Sequence, residues 1–171
     1  PLLPMYFSLG VEDGNVRFPL TLGATPDGNE GDADGGEIAY ANFANGVVSN
    51  VDISLIVPYN YVAGSNFLVT FMDWRANVAG NNIVWGAKYS INTVGAVRAT
   101  TFGTTTEGTF ANSAIALQWC RHSLVLIPAT TGTITPGQKI VLRCYRLGTG
   151  ADTLGVTASC CGILVEFYVD S

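Results

Sequence analysis

The chain has 171 residues, of which 48% are apolar, enough for one domain with a sizeable core and too many for a disordered chain. Charged residues make up only 12%, about half the usual ~25%, so much of the surface is expected to face other protein. The net charge of −5 counts against a nucleic-acid binder, which needs a basic stripe, and no apolar run approaches the ~20 residues of a membrane helix.

Residues 1–35 read as an extended N-terminal arm followed by an acidic, Gly-rich loop. Pro1 to Phe18 mixes isolated apolar residues with turn formers, and the one short strand expected in this region is Val16 to Leu22. Pro26 to Gly36 is a loop by composition. The chain begins at Pro1 with neither an initiator Met nor a signal-peptide pattern, which reads as a processed chain or a fragment.

Residues 36–171 carry a period of two and read as a β-sandwich domain. Val51, Ile53, Leu55 and Val57 alternate with Asp52, Ser54 and Ile56, and Pro58 ends the strand. Phe67, Val69 and Phe71 alternate with Leu68, Thr70 and Met72, so both faces of that strand are expected to be covered. Ile83, Trp85, Ala87, Tyr89 and Ile91 mark the next strand. Further strands fit Ile115 to Trp119, Ser123 to Ile127, Lys139 to Leu147 and Gly162 to Val169, with a short helix over Asn112 to Gln118 as the alternative for the first. Val97 to Ser113, rich in Thr and Gly, is too long for a hairpin turn and suits an inter-sheet crossover. Roughly seven or eight strands separated by Gly and Asn turns, with almost no helical period, predict an all-β antiparallel sandwich of jelly-roll type.

Catalytic parts are scarce. The single histidine, His122, has no nucleophile elbow to serve, and its expected role is at the surface or in packing. Cys120, Cys144, Cys160 and Cys161 show no metal-ligand spacing, which leaves buried thiols or a cross-strand disulfide. Nothing in the spacing calls for a cofactor, and the chain is expected not to be an enzyme. The weak metal candidate is the acidic loop with Asp27, Asn29, Asp32 and Asp34, whose spacing fails the EF-hand pattern; a solvated loop is the simpler reading. Trp85 shares its register with Ile83 and Tyr89 and belongs in the core, and for Trp119 core or interface packing is a simpler reading than a sugar platform. Trp74, beside Asp73 and Arg75, is the candidate glycan-stacking or interface aromatic. Arg143 and Arg146 fall on opposite faces of one strand, so ion pairing explains them better than a basic patch does.

The order of several motifs resembles a family of small jelly-roll-like virion proteins and domains of tailed bacteriophages. The matching stretches are Val57-Pro58-Tyr59-Asn60-Tyr61, Phe67 to Trp74, and Gly80 to Trp85. Gly137 to Arg146, Ala151 to Leu154 and Gly162 to Phe167 complete the match, which spans roughly residues 36 to 169. The resemblance implies a non-enzymatic virion structural protein, either a capsid decoration (cement) or minor head protein on the capsid exterior. Its implied partners are the major capsid protein and copies of itself, as a homotrimer. The alternative is a tail-fibre or receptor-binding domain that recognises a host surface glycan. A small icosahedral coat protein fits less well, because its arm is usually basic and the first 36 residues here hold only Arg17. Residues 1–35 have no counterpart in the family, and Tyr6, Phe7, Val16 and Phe18 are the expected partner-contacting residues of the arm.

Overall fold

The structure is a computed structural model that describes residues 1–8, 11–12, 15–16, 24–31, 37–75, 81–92, 101–112, 118–126 and 134–170. Alternating apolar residues with flat, β-branched or aromatic side chains drive the chain into strands, and these stack as two antiparallel sheets. The strands are β1 (Leu2–Ser8), β2 (Val11–Glu12), β3 (Asn15–Val16), β4 (Ala24–Gly31), β5 (Glu37–Phe43) and β6 (Ser49–Ile56). They continue with β7 (Phe67–Arg75), β8 (Asn82–Asn92), β9 (Thr106–Ala111), β10 (Cys120–Leu126), β11 (Lys139–Arg146) and β12 (Ala158–Tyr168). No helix occurs among the described residues.

One sheet runs β10–β7–β12–β5–β4 with β1 also on β12, and the other runs β6–β11–β8–β9. Successive strands such as β6 and β7, or β10 and β11, lie in different sheets, so the chain crosses between layers as in a jelly roll. The layers meet over a dry core. Phe67, Val69 and Phe71 of β7 and Ile163, Val165 and Phe167 of β12 face Ile53, Trp85, Tyr89, Ile140 and Leu142 of the other sheet. The Trp85 ring stacks on Phe71 with centroids 4.6 Å apart, and Phe43 meets it edge-on at 5.0 Å.

Three segments depart from the sequence reading, the first being β1, a paired strand in a region where the one strand expected is Val16 to Leu22. Ala24–Gly31 is a strand paired with β5, although Pro26 to Gly36 reads as a loop by composition. The register slips between Asp27 and Asn29, so Gly28 is accommodated as a bulge and the pairing survives a residue that normally breaks it. β9 lies inside the expected crossover: Thr106, Gly108 and Phe110 are half-buried while Glu107, Thr109 and Ala111 are exposed. A partner strand thus overrides the weak intrinsic preference of Thr and Gly. The sequence-stated strands at Ile115 to Trp119 and Val16 to Leu22 fall largely outside the described residues, and Gln118 and Trp119 are not in a strand.

The start of the chain is held by its own sheet. β1 pairs antiparallel with β12 over its full length, from Leu2 opposite Tyr168 to Ser8 opposite Gly162. β5 takes the Ala158–Cys160 part of the same β12 side, so β1 and β5 lie end to end along it. The Val169 amide donates to the Pro1 carbonyl at 2.9 Å, which makes the odd-numbered β1 residues the hydrogen-bonded positions. Pro4 therefore sits at a position whose nitrogen faces away from β12, and its missing N–H costs this pairing nothing.

Candidate interaction face

An antiparallel sheet usually puts polar residues on its solvent side. In the six-stranded sheet, the described outer side of β1, β7, β10 and β12 carries few charges. The register aligns Leu2, Tyr168 and Val62 as one row across its outer side, since Tyr61 bridges Val169 and the Val62 amide donates to the Tyr168 carbonyl. All three side chains are exposed, at 42%, 44% and 39%. The next row holds Pro4, Glu166, Leu68 and Val125, and Val125 is exposed at 47%. Further along come Leu164, Thr70 and Ser123, then Met72 and Arg121. Glu166 and Arg121 are the only charged side chains described on this side of β1, β7, β10 and β12. Its polar groups bond one another: the Thr70 and Ser123 hydroxyls meet at 2.8 Å, and the Ser159 hydroxyl donates to Asn42 at 2.8 Å. Tyr59, 85% exposed, stands on the loop that supplies Val62.

The outer side of the four-stranded sheet carries the charges instead. Arg143 of β11 donates two bonds of 2.7 Å to Asp52 of β6, directly opposite it. That hydrogen bonding keeps the Arg143 guanidinium more firmly protonated than usual, against the opposing effect of burial. Arg143 also lies 4.4 Å over the Phe102 ring, and Lys88 sits 5.8 Å from it. Tyr145 lies across Gly86 and donates a 2.6 Å bond to Glu107; burial and that acceptor push its phenol well above the usual range. A Cβ on Gly86 would come 2.2 Å from Tyr145 Cζ. Gly86→Ala is therefore expected to cost about 1–3 kcal/mol by overpacking. Thermal unfolding should show that loss, and Tyr145→Ala in the same chain should relieve part of it; no relief would place the strain elsewhere.

Two hydrogen-bonded pairs of polar side chains are buried between the sheets. His122 Nδ1 lies 2.9 Å from Asp73 Oδ1, with its ring 4.5 Å from that of Phe110. Of the two expected places, the surface and the packed interior, His122 takes the interior, because β10 begins at Cys120 and puts residues 122, 124 and 126 inward. Arg146 donates to both Asp152 oxygens at 2.8 Å and to the Phe43 and Val156 carbonyls. Asp152 also accepts from the Val84 and Leu154 amides, which ties the loop after β11 to β8 and fixes its own turn. The sequence pointed to ion pairing at Arg143 and Arg146, and both pairs are present.

The four cysteines are not joined in disulfides. Cys144, Cys160 and Cys161 are buried and Cys120 is half-buried; the Cys160 and Cys161 thiols donate to the Gly162 and Met72 carbonyls at 3.3 Å. Burial, reinforced by Asp73, pushes the Cys160 thiol well above its usual range, so it stays protonated and unreactive. Among the described residues no cluster of three or more His, Cys, Asp or Glu could hold a metal ion. Asp27 and Asn29 lie in β4, with side chains outside the described set, and Asp32 and Asp34 fall outside the described residues.

Of the arm residues, Tyr6 and Phe7 pair through their backbones with Leu164 and Ile163, and Val16 lies in β3. Their side chains, Phe18 and the Trp74 side chain lie outside the described residues. Trp85 is fully buried as its register implies, whereas Trp119 is 49% exposed. The exposed apolar row across the chain's two ends escaped the sequence reading, since it exists only once residues 2, 62 and 168 are brought together.

No protein-family model matches the sequence, and no curated protein matches it. Among solved structures, the CBM22-2 xylan-binding domain of Paenibacillus barcinonensis Xyn10C matches with a TM-score of 0.51 and 11% identity, over 95% of this chain and 99% of that one. A CBM35 from the same organism matches at 0.48 and 13%, over 94% and 97%. The structure of infectious bursal disease virus, Gx strain, matches at 0.34 and 14%, over 75% of this chain and 30% of that one. At such identities the likeness is one of fold, a jelly-roll β-sandwich.

Proposed function

We propose that this chain is a non-enzymatic structural component of a virion, a decoration or minor head protein that binds the assembled shell through the outer side of its six-stranded sheet. The observation that carries this reading is the asymmetry between the two sheet faces. One side bears Asp52, Lys88, Glu107 and Arg143 with Ile56 exposed at its end; the described part of the other bears exposed Leu2, Val62, Val125 and Tyr168 with only Glu166 and Arg121 among them. Aromatic and aliphatic side chains in a charge-poor patch are the composition of an interface core. Burial of that patch at about 25 cal/mol per Å² supplies the driving force. Because such a protein engages the lattice and not the free subunit, it stabilises the shell by mass action. The major capsid protein and further copies of this chain, arranged as a trimer, are the partners in this reading.

The deciding experiment is the copy number of this chain in purified virions relative to the major capsid protein, by quantitative mass spectrometry. A simple ratio to the shell subunit is expected. A few copies per particle would move the chain to the tail or fibre, and absence would defeat both locations.

A second reading, recognition of a host glycan, draws on exposed Trp119 and on the sandwich fold shared with a xylan-binding domain. A glycan array separates the two. Specific retention lost on Trp119→Ala would favour the glycan, whereas no retention is expected for a shell-binding subunit.

A further inference from the structure

β1 is attached to the molecule in an unusual way. β12 is the strand it pairs with, along its whole length. Pro1 to Pro4 are exposed, Leu2 and Leu3 among them, and Met5 is only half-buried against the core. Other strands flank the slot it fills: β7 pairs along the far side of β12, and Ile163, Val165 and Phe167 are wholly buried in the sandwich. Removing β1 would leave the backbone groups of Ile163, Val165, Phe167 and Val169 open along one strand, a ready acceptor for an added strand.

We infer that β1 is an exchangeable strand, which in the assembled protein leaves its own β12 and pairs with the β12 of a second copy of this chain. The inference rests on the reading that copies of this chain associate, and it names the element that links them. The occupant follows from the register, because the slot already fits this sequence residue for residue from Leu2 to Ser8. Exchange reproduces every hydrogen bond of the intrachain pairing in the partner, so it is close to neutral in contacts and is decided by local concentration. It also carries exposed Leu2 to the partner's Tyr168 and the partner's Val62, the row it completes in its own chain.

The test uses the pair Pro4 and Glu166. They are directly opposite at a non-hydrogen-bonded position, where Cα atoms come closest and a disulfide fits. Full chains carrying Pro4→Cys and Glu166→Cys singly, distinguished by a tag, are co-expressed, oxidised and run without reducing agent beside the unsubstituted protein. A disulfide-linked species holding one chain of each kind is expected, and in the double variant the link should join chains rather than close within one. Linkage solely within single chains overturns the exchange. In that case the native mass of the unsubstituted protein separates the two ideas: an oligomer keeps self-association and drops the exchanged strand, and a monomer drops both. A chain lacking residues 1–8 provides the second arm; it should lose the higher mass, and an unchanged oligomer would also overturn the inference.

Discussion

Arg146→Met is expected to lower stability by about 3–5 kcal/mol, the largest loss from any single polar change described above. The size follows from what is stranded rather than from the attraction lost. Arg146 and Asp152 have no exposed side-chain surface, so removing the guanidinium leaves a carboxylate buried without its counter-ion. The Phe43 and Val156 carbonyls lose a donor at the same time. A double variant, Arg146→Met with Asp152→Leu, removes the uncompensated charge and should recover part of the loss. It should not recover all, because the Val84 and Leu154 amides then lack their acceptor. Equilibrium unfolding in denaturant measures each step, and a single variant within 1 kcal/mol of the parent, by the usual ~0.5 kcal/mol scatter of neutral surface changes, would contradict this account. The pH dependence has a definite sign. Burial alone pushes the Asp152 carboxyl up, but the bonds from Arg146 and the Val84 amide outweigh it, and the net shift is downward. The pair's contribution is therefore complete above the ordinary Asp value of about 3.9 and is lost as pH falls through the lower value of the folded state.

Trp85 gives the second large effect. Trp85→Ala should cost about 3–5 kcal/mol, because the ring bridges the layers between Phe71 and Phe43 and its removal opens a cavity that rigid aromatic neighbours fill poorly. Its Nε1, by contrast, has no protein acceptor among the described residues. Trp85→Phe then forfeits packing but no hydrogen bond, and its cost should stay within the ordinary range of about 0.5–3 kcal/mol. Denaturant midpoints for the two variants check this; equal losses would mean that the indole N–H has a partner worth as much as the ring.

The sandwich was legible wherever alternation was strong. Val51 to Val57, Phe67 to Trp74 and Ile83 to Ile91 each announce one strand and its inward side, and Trp85 follows as core from its neighbours two residues away. The opposed arginines of β11 were legible for the same reason. β4 and β9 were not, since Gly, Asp and Thr form strands there only because a partner strand accepts them. His122 was within reach: His122, Leu124 and Leu126 alternate with Arg121, Ser123 and Val125, and extending that strand two residues toward Cys120 turns the imidazole inward. The uncharged side of the six-stranded sheet was half visible, as Leu68, Thr70 and Met72 lack charge. What sequence periodicity does not contain is which strands are neighbours. The contiguity of Leu2, Val62 and Tyr168 depends on pairings between segments far apart in the chain.

Pro4 has a consequence for how this protein behaves when crowded. A bare strand border invites the next molecule to continue the hydrogen-bonded ribbon, and unlimited continuation of that kind ends in fibrils. Along β1 the border lacks a donor at Pro4, so a newcomer meets an interrupted ladder and a ring where its own carbonyl needs an amide. The sheet terminates at that border even though the residues around it are apolar, because an open-ended backbone seam finds no complete ladder there to extend.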